Sequence, residues 1–171
     1  MDILSHGLYG GVAFGRRSWK SFWLSFSFGI APDLFSFGLY MGLAFFGLAW
    51  HPSFLSGQHP GPNEVPAYVN ILYNVTHSLL VFALVFGAVW LLRQRPLWEM
   101  TAWGLHIVVD IPTHVDAYFA TPFLWPLSSF HVSGIPWGHP IIFIPNILLL
   151  VGLYLWFFVI RKFWRRPGGG E

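Results

Sequence analysis

The stretch His106-Ile-Val-Val-Asp110 sets an imidazole and a carboxylate four residues apart. On a helix advancing about 100° per residue, both side chains point the same way from adjacent turns and can reach one ion. Pro112 should end or kink that helix, so His114 enters from the following turn. Three further ionisable residues interrupt apolar stretches: His6 in Leu4-Ser5-His6-Gly7, Asp33 after Ala31-Pro32, and His77 in Asn74-Val75-Thr76-His77-Ser78. Four imidazoles and two carboxylates form a nitrogen and oxygen donor set suited to zinc, manganese or iron, and large enough for two ions. Magnesium alone would not call for so many histidines. Each residue also has an ion-free alternative. Asp110 can accept a hydrogen bond from His106, and His6 or His77 can pair with a neighbouring polar group. An isolated carboxylate such as Asp33 needs a cation or a proton.

These residues matter because of what surrounds them. Of 171 residues, 55% are hydrophobic and only 9% charged, with a mean hydropathy of +0.57. Soluble chains carry about 25% charged residues, so the composition is that of an integral membrane protein. Ionisable groups inside a bilayer cost about 2.5–3.5 kcal/mol each on insertion scales and usually pair or serve a site. The length suits one domain over residues 1–171. The nine Lys and Arg fall in short clusters, with none of the basic stripes that nucleic acid requires. There is no cysteine, so disulfides and thiolate ligands are excluded and any zinc site must use His and carboxylates. Asp2 and the lack of a basic leader argue against a cleavable signal, which leaves the apolar segments as insertion signals.

The expected fold is all-α, a polytopic helical membrane bundle of about five segments. Residues 3–15 form a short first segment with Gly7, Gly11 and Gly15 at four-residue spacing, a face that admits close helix approach. At thirteen residues it falls short of the roughly 20 needed to span, and should enter only part of the way. The second segment, 21–50, is interrupted by Gly29 and Pro32 just before Asp33 and reads as a helix broken at Pro32. The third covers 69–92, the fourth 97–111 and the fifth 141–160. A loop with Pro52, Pro60, Pro62 and Pro66 separates the second and third, and one rich in Pro, Trp and Phe separates the fourth and fifth. No internal repeat is evident.

Orientation follows from positive charge. Arg16, Arg17 and Lys20 follow the first segment, Arg93 and Arg95 the third, and Arg161, Lys162, Arg165 and Arg166 the fifth. If every segment crosses, all three clusters lie on one side, which should be cytoplasmic. His6, His77 and the end of the fourth segment then sit toward the outer leaflet, and Asp33 near mid-depth. Trp125 and Trp137 suit the outer interface, the basic tail serves as an inner anchor, and Glu99 is expected to balance Arg93 or Arg95.

Met1-Asp2 with Ser5-His6-Gly7, then Ala31-Pro32-Asp33, Thr76-His77-Ser78, the His106/Asp110 pair and Phe123-Leu124-Trp125-Pro126 resemble, in that order, the membrane-bound metal-dependent hydrolases of the YdjM type. That family is in turn similar to zinc-dependent phospholipase C and the P1-type nucleases. The resemblance implies that His6, Asp33, His77, His106 and Asp110 are metal ligands with His114 a sixth, holding one to three divalent ions, zinc before manganese or iron. The soluble enzymes also use a late HxxxE pair, which has no counterpart here because His139 is followed by Pro140 and no acid. They use an amino-terminal nitrogen as a ligand too, and the sequence leaves open whether Met1 or Asp2 stands in its place.

The reaction expected is hydrolysis of a phosphoester in a phospholipid or lipid-linked substrate at the outer leaflet. Metal-activated water would be the nucleophile and Asp33 the general base. The aromatic loop from Phe123 to Phe130 would admit a headgroup, and membrane lipid is the only partner expected. Candidates for contacts to substrate or to the ligands are Asp2, Ser78, Asp116, Trp125, His131 and His139. His51 and His59 read as solvated loop residues. A different class of function also fits clustered His and Asp in a helical bundle: a metal-ion or proton-coupled transporter.

Overall fold

The computed structural model describes residues 1–48, 63 and 65–164. Its regular structure is helical, apart from one isolated bridge between Val115 and Tyr118. Helix α1 spans Ile3–Phe14, α2 Trp19–Asp33, α3 Leu39–Phe45, α4 Ala67–Thr76, α5 Leu79–Arg93, α6 Thr101–Asp110 and α7 Pro140–Trp164. Two stretches are long and apolar enough to cross a membrane, Trp19–Phe45 and Pro140–Val159. The bent pair α4 and α5 would supply a third if taken as one span. His51, His59, Arg165, Arg166 and the prolines at 52, 60 and 62 lie outside the described residues.

α1 packs against α2 and α6. The glycine stripe explains how closely: a Cβ added at Gly7 would come 2.6 Å from the Phe26 ring, and one at Gly11 2.6 Å from the Phe22 ring. The same holds from the other side, since a Cβ on Gly29 would meet the His6 carbonyl at 2.5 Å. Without bulk on either helix, backbone meets backbone, and His6 is drawn against the middle of α2.

Pro32 does not break the second segment. The chain runs on through one π-type turn, Leu34–Gly38, into α3, and Asp33 keeps helical dihedrals of −69° and −42°. Hydroxyls make this possible: Ser36 Oγ donates to the Pro32 carbonyl at 2.8 Å and Thr76 Oγ1 reaches it at 3.3 Å. Such side-chain bonds and local π turns satisfy backbone groups that proline disturbs within an apolar setting.

The third segment, expected as one helix, instead bends by 61° between α4 and α5. His77 closes α4, with its N–H on the Tyr73 carbonyl, and Ser78 turns extended and caps α5 by accepting the Val81 N–H at 3.2 Å. Carbonyls freed at this bend find donors, because Trp103 Nε1 donates to Thr76 O at 2.6 Å. The fourth segment is also shorter than expected: a 3-10 turn, Trp98–Met100, precedes the ten residues of α6. Pro96 and Pro112 bracket it, and at ~1.5 Å per residue α6 covers only ~15 Å. A five-span bundle is therefore not what helix length alone gives.

The basic ends meet. Arg16 lies over the Trp156 ring at 5.2 Å, and Ser21 Oγ donates to Glu99 Oε1 at 2.7 Å. Glu99 thus binds the start of α2 rather than the expected Arg93 or Arg95. The turns after α1, before α6 and toward the end of α7 consequently share one end of the molecule. At the other end, Gly134 N–H donates to the His114 carbonyl at 2.8 Å and Ile135 N–H to that of Pro112 at 3.0 Å, pinning the last loop to the turn after α6.

Overpacking should be costly where α1 touches α2. Gly29→Val is expected to lower stability by about 1–3 kcal/mol, read as a reduced melting temperature in detergent. Gly87→Ala, where an added Cβ meets nothing within 4 Å, should hold or raise it.

Candidate metal centre

Three helices bring four polar side chains to one point. Asp33 from the end of α2, His77 from the end of α4, and His106 and Asp110 from α6 each offer a donor atom, all within 4.8 Å of one another. His77, His106 and Asp110 are buried, whereas Asp33 keeps 16% of its side chain exposed.

Backbone carbonyls fix the two central imidazoles. His106 Nδ1 lies 2.7 Å from Gly29 O, and His77 Nδ1 lies 3.1 Å from Tyr73 O. A carbonyl only accepts, so each Nδ1 carries a proton, and each ring in its neutral form turns an Nε2 lone pair inward. Those two Nε2 atoms stand 3.0 Å apart. Around them lie Asp110 Oδ2, 3.1 Å from His106 and 3.7 Å from His77, and Asp33 Oδ1, 3.4 Å from His77 and 3.8 Å from His106. With both rings neutral, four acceptors face one another, and Asp110 Oδ2 is buried without a hydrogen bond among the described residues.

A cation resolves that repulsion. Ligands ~2.0–2.1 Å from a tetrahedral zinc lie about 3.3 Å from each other, close to the separations observed, so the donor set fits a zinc-like ion. Each imidazole also has the carbonyl partner on its far nitrogen that orients metal-binding histidines. The Tyr73 ring stacks on His77 at 3.9 Å, and His6 stacks on His106 at 3.7 Å, which limits rotation of both.

The remaining expected ligands gather on the other oxygen of Asp110. His6 Nε2 is 2.9 Å from Oδ1 but lacks hydrogen-bond geometry to it or to another atom among the described residues, and His114 Nδ1 is 3.3 Å from the same oxygen. The Met1 ammonium also pairs with Asp110 Oδ1 and lies 3.3 Å from Thr113 Oγ1. Asp110 therefore presents one oxygen to His77 and His106 and the other to His6, His114 and the Met1 amine.

The other candidates lie outside the donor cluster, although Asp2 shares a cavity wall with Asp33 and His114. Asp2 caps α1, accepting from Ser5 N at 2.9 Å and Ser5 Oγ at 2.6 Å. Ser78 caps α5 and donates to the Trp125 carbonyl, and Leu79 N–H donates to Phe123 O at 3.0 Å, so the 123–130 loop packs on the start of α5. Asp116 and His131 are exposed and pair with each other at 3.0 Å. His139 is exposed at the start of α7 and accepts the Ile141 N–H at 3.3 Å. Sequence reading missed Gly29 and Tyr73, whose carbonyls set the tautomers. The only trace of Tyr73 is its place four residues before His77, and Gly29 belongs to another helix from His106.

The cluster forms part of the wall of a cavity of about 730 Å³, within the ~300–1,000 Å³ common for small-molecule sites. Asp33 and His114 reach it; Asp110 and the two central histidines do not. The rest of its wall comes from residues 1–3, the π turn and α3, the 113–119 turn and residues 136–138, rather than from the 123–130 loop expected to admit substrate. Comparison of the chain with protein-family models, with characterised proteins and with solved structures finds no match.

If the donors hold a divalent ion, purified protein should contain at least one equivalent by elemental analysis. His106→Ala and Asp110→Ala should reduce it at least tenfold, while His131→Ala leaves it unchanged. Chelation should lower the melting temperature of the first protein and leave those of the two depleted variants where they were.

Proposed function

We propose that this chain is a membrane-embedded, metal-dependent phosphoester hydrolase acting on a lipid or lipid-linked substrate. The observation that carries this reading is a buried cluster of four donor groups, one of which, Asp33, also lines an otherwise largely apolar cavity. An ion buried among those donors without access to a pocket would serve structure alone. Here one ligand, Asp33, belongs both to the cluster and to the cavity wall. The resemblance of the ordered fragments to the YdjM-type hydrolases points the same way.

In this reading α1 and α6 enter the bilayer without crossing it alone, α4 and α5 form one bent span, and the basic ends face the cytoplasm. At ~1.5 Å per residue, His6 lies ~15 Å from Arg16 along α1, and Asp33 ~20 Å from Lys20 along α2. Those distances favour a site in the outer half of a hydrocarbon core ~30 Å thick.

His77, His106, Asp33 and Asp110 Oδ2 would hold one ion, and His6, His114 and Asp110 Oδ1 are the residues for a second. Such ions, zinc before manganese or iron, acidify water and neutralise charge on a phosphoryl oxygen. The chain's own part falls to Asp33, the carboxylate of the cluster that reaches the cavity. A water molecule gives its proton to Asp33 as its oxygen bonds to phosphorus. The P–O bond to the alcohol then breaks, and the alcohol oxygen leaves with the proton that Asp33 returns. Asp110 is fully enclosed and serves to hold position.

Protein reconstituted in phosphatidylcholine and phosphatidylglycerol vesicles should release phosphomonoester or diacylglycerol, and chelation should stop it. Asp33→Asn is expected to lower kcat by about 10²–10⁴-fold while the protein keeps its fold. Zinc flux across the vesicle membrane without turnover would replace the hydrolase with a transporter.

A further inference from the structure

The cavity has an edge that the reaction does not need. Leu34 and Met41 both line it and are 49% and 41% exposed, so they stand at its rim rather than its floor. Both belong to Trp19–Phe45, a stretch apolar enough to cross a membrane. Their neighbours Phe35 and Leu39 are 67% and 62% exposed on the same stretch. A rim bordered by such residues opens sideways onto hydrocarbon, not onto water.

The interior is equally apolar. Phe37, Val115 and Phe119 line it, and no Lys or Arg does among the described residues. Phe37 meets Phe119 edge to face at 4.9 Å and Tyr73 at 5.8 Å, so these rings are engaged with one another. A headgroup there would face the carboxylates of Asp2 and Asp33 together with the Met1 ammonium, which is paired with Asp110. The polar part of the wall is confined largely to one side, where Asp33, Thr113 and His114 adjoin the cluster.

We propose that this cavity receives a hydrocarbon chain of the lipid substrate, which enters sideways from the bilayer past Leu34 and Met41 and brings its phosphoester to Asp33 and His114. The proposal rests on the hydrolase reading for the fate of the phosphoester, but the seating of the chain can be tested without turnover. The π turn is what makes room: it carries Leu34 and Phe37 and ends at Gly38, where an added Cβ meets only the Leu34 side chain, at 3.6 Å. Gly138 closes the cavity from the loop side, and a Cβ there meets nothing within 4 Å. Two glycines, one on the helix and one on the loop, thus leave room in the wall that a larger side chain would take.

The test uses full-length protein in phosphatidylcholine vesicles containing phosphatidylglycerol with a diazirine at the end of one acyl chain. After irradiation, labelled peptides are mapped by mass spectrometry. Wild type should be labelled at Phe37, Val115 or Phe119 as well as on the exposed face of α7 at Leu148 and Leu155. Gly38→Phe should cut the cavity labels about tenfold and leave those on α7 unchanged; Gly138→Leu does the same from the other wall should Gly38→Phe fail to fold. Labels on α7 with none in the cavity of wild type would overturn the proposal, as would cavity labels that persist in both variants. Cavity labelling that responds to the variants without any phosphoester cleavage would retain the chain site and remove the hydrolase reading. With cleavage present, Gly38→Phe should lose at least tenfold in kcat/KM on the long-chain lipid while still cleaving bis(p-nitrophenyl) phosphate.

Discussion

Two N–H···O=C bonds govern this molecule's chemistry. By holding the Nδ1–H groups of His77 and His106 on the carbonyls of Tyr73 and Gly29, the fold turns both Nε2 atoms toward each other across 3.0 Å, where neutral rings present lone pairs. Two carboxylate oxygens then join them. In a medium of low dielectric such an arrangement of acceptors is unfavourable unless positive charge is supplied at its centre. The apolar segments enforce the burial, and the burial in turn makes the demand for a cation strong.

Reaching that geometry depends on unusually close helix packing. The Gly29 carbonyl can serve His106 because α2 passes α6 and α1 with little side-chain bulk between them. The bend at His77 and Ser78 does a second job: it ends α4 where the imidazole must turn inward, while Trp103 satisfies the Thr76 carbonyl that the bend exposes. The π turn after Asp33 likewise widens the helix without cutting it, and the Ser36 hydroxyl covers the Pro32 carbonyl. Both of these irregularities therefore lie beside the cluster, and each has its own hydrogen-bond partner.

Much of the cluster was legible in the sequence because its signals are local or chemical. The His106/Asp110 pair follows from helical period, and Asp33 and His77 are conspicuous as ionisable residues among apolar ones. The glycine stripe of α1 likewise announced its packing partner's closeness. What escaped was set by contacts between distant segments. Proline at 32 suggests a break, but nothing near it in sequence reveals that Thr76 also reaches its carbonyl. The helical period cannot report the bend after His77, since apolar residues continue on both sides of it. Loop residues have no period at all, so the cavity wall was sought at 123–130 when it is built at 113–119 and 136–138.

Asn146 carries a consequence for the last helix. Its amide donates to Ser5 Oγ and its carbonyl accepts from Tyr9, and two turns further on Tyr154 donates to the Leu8 carbonyl. An apolar rod in lipid has little reason to prefer one azimuth over another, because its neighbours and the surrounding chains are equally greasy. These three bonds give α7 a preferred rotation about its own axis, and they do so through residues flanking His6. Spinning that rod out of register would tug first on the imidazole's own turn of α1.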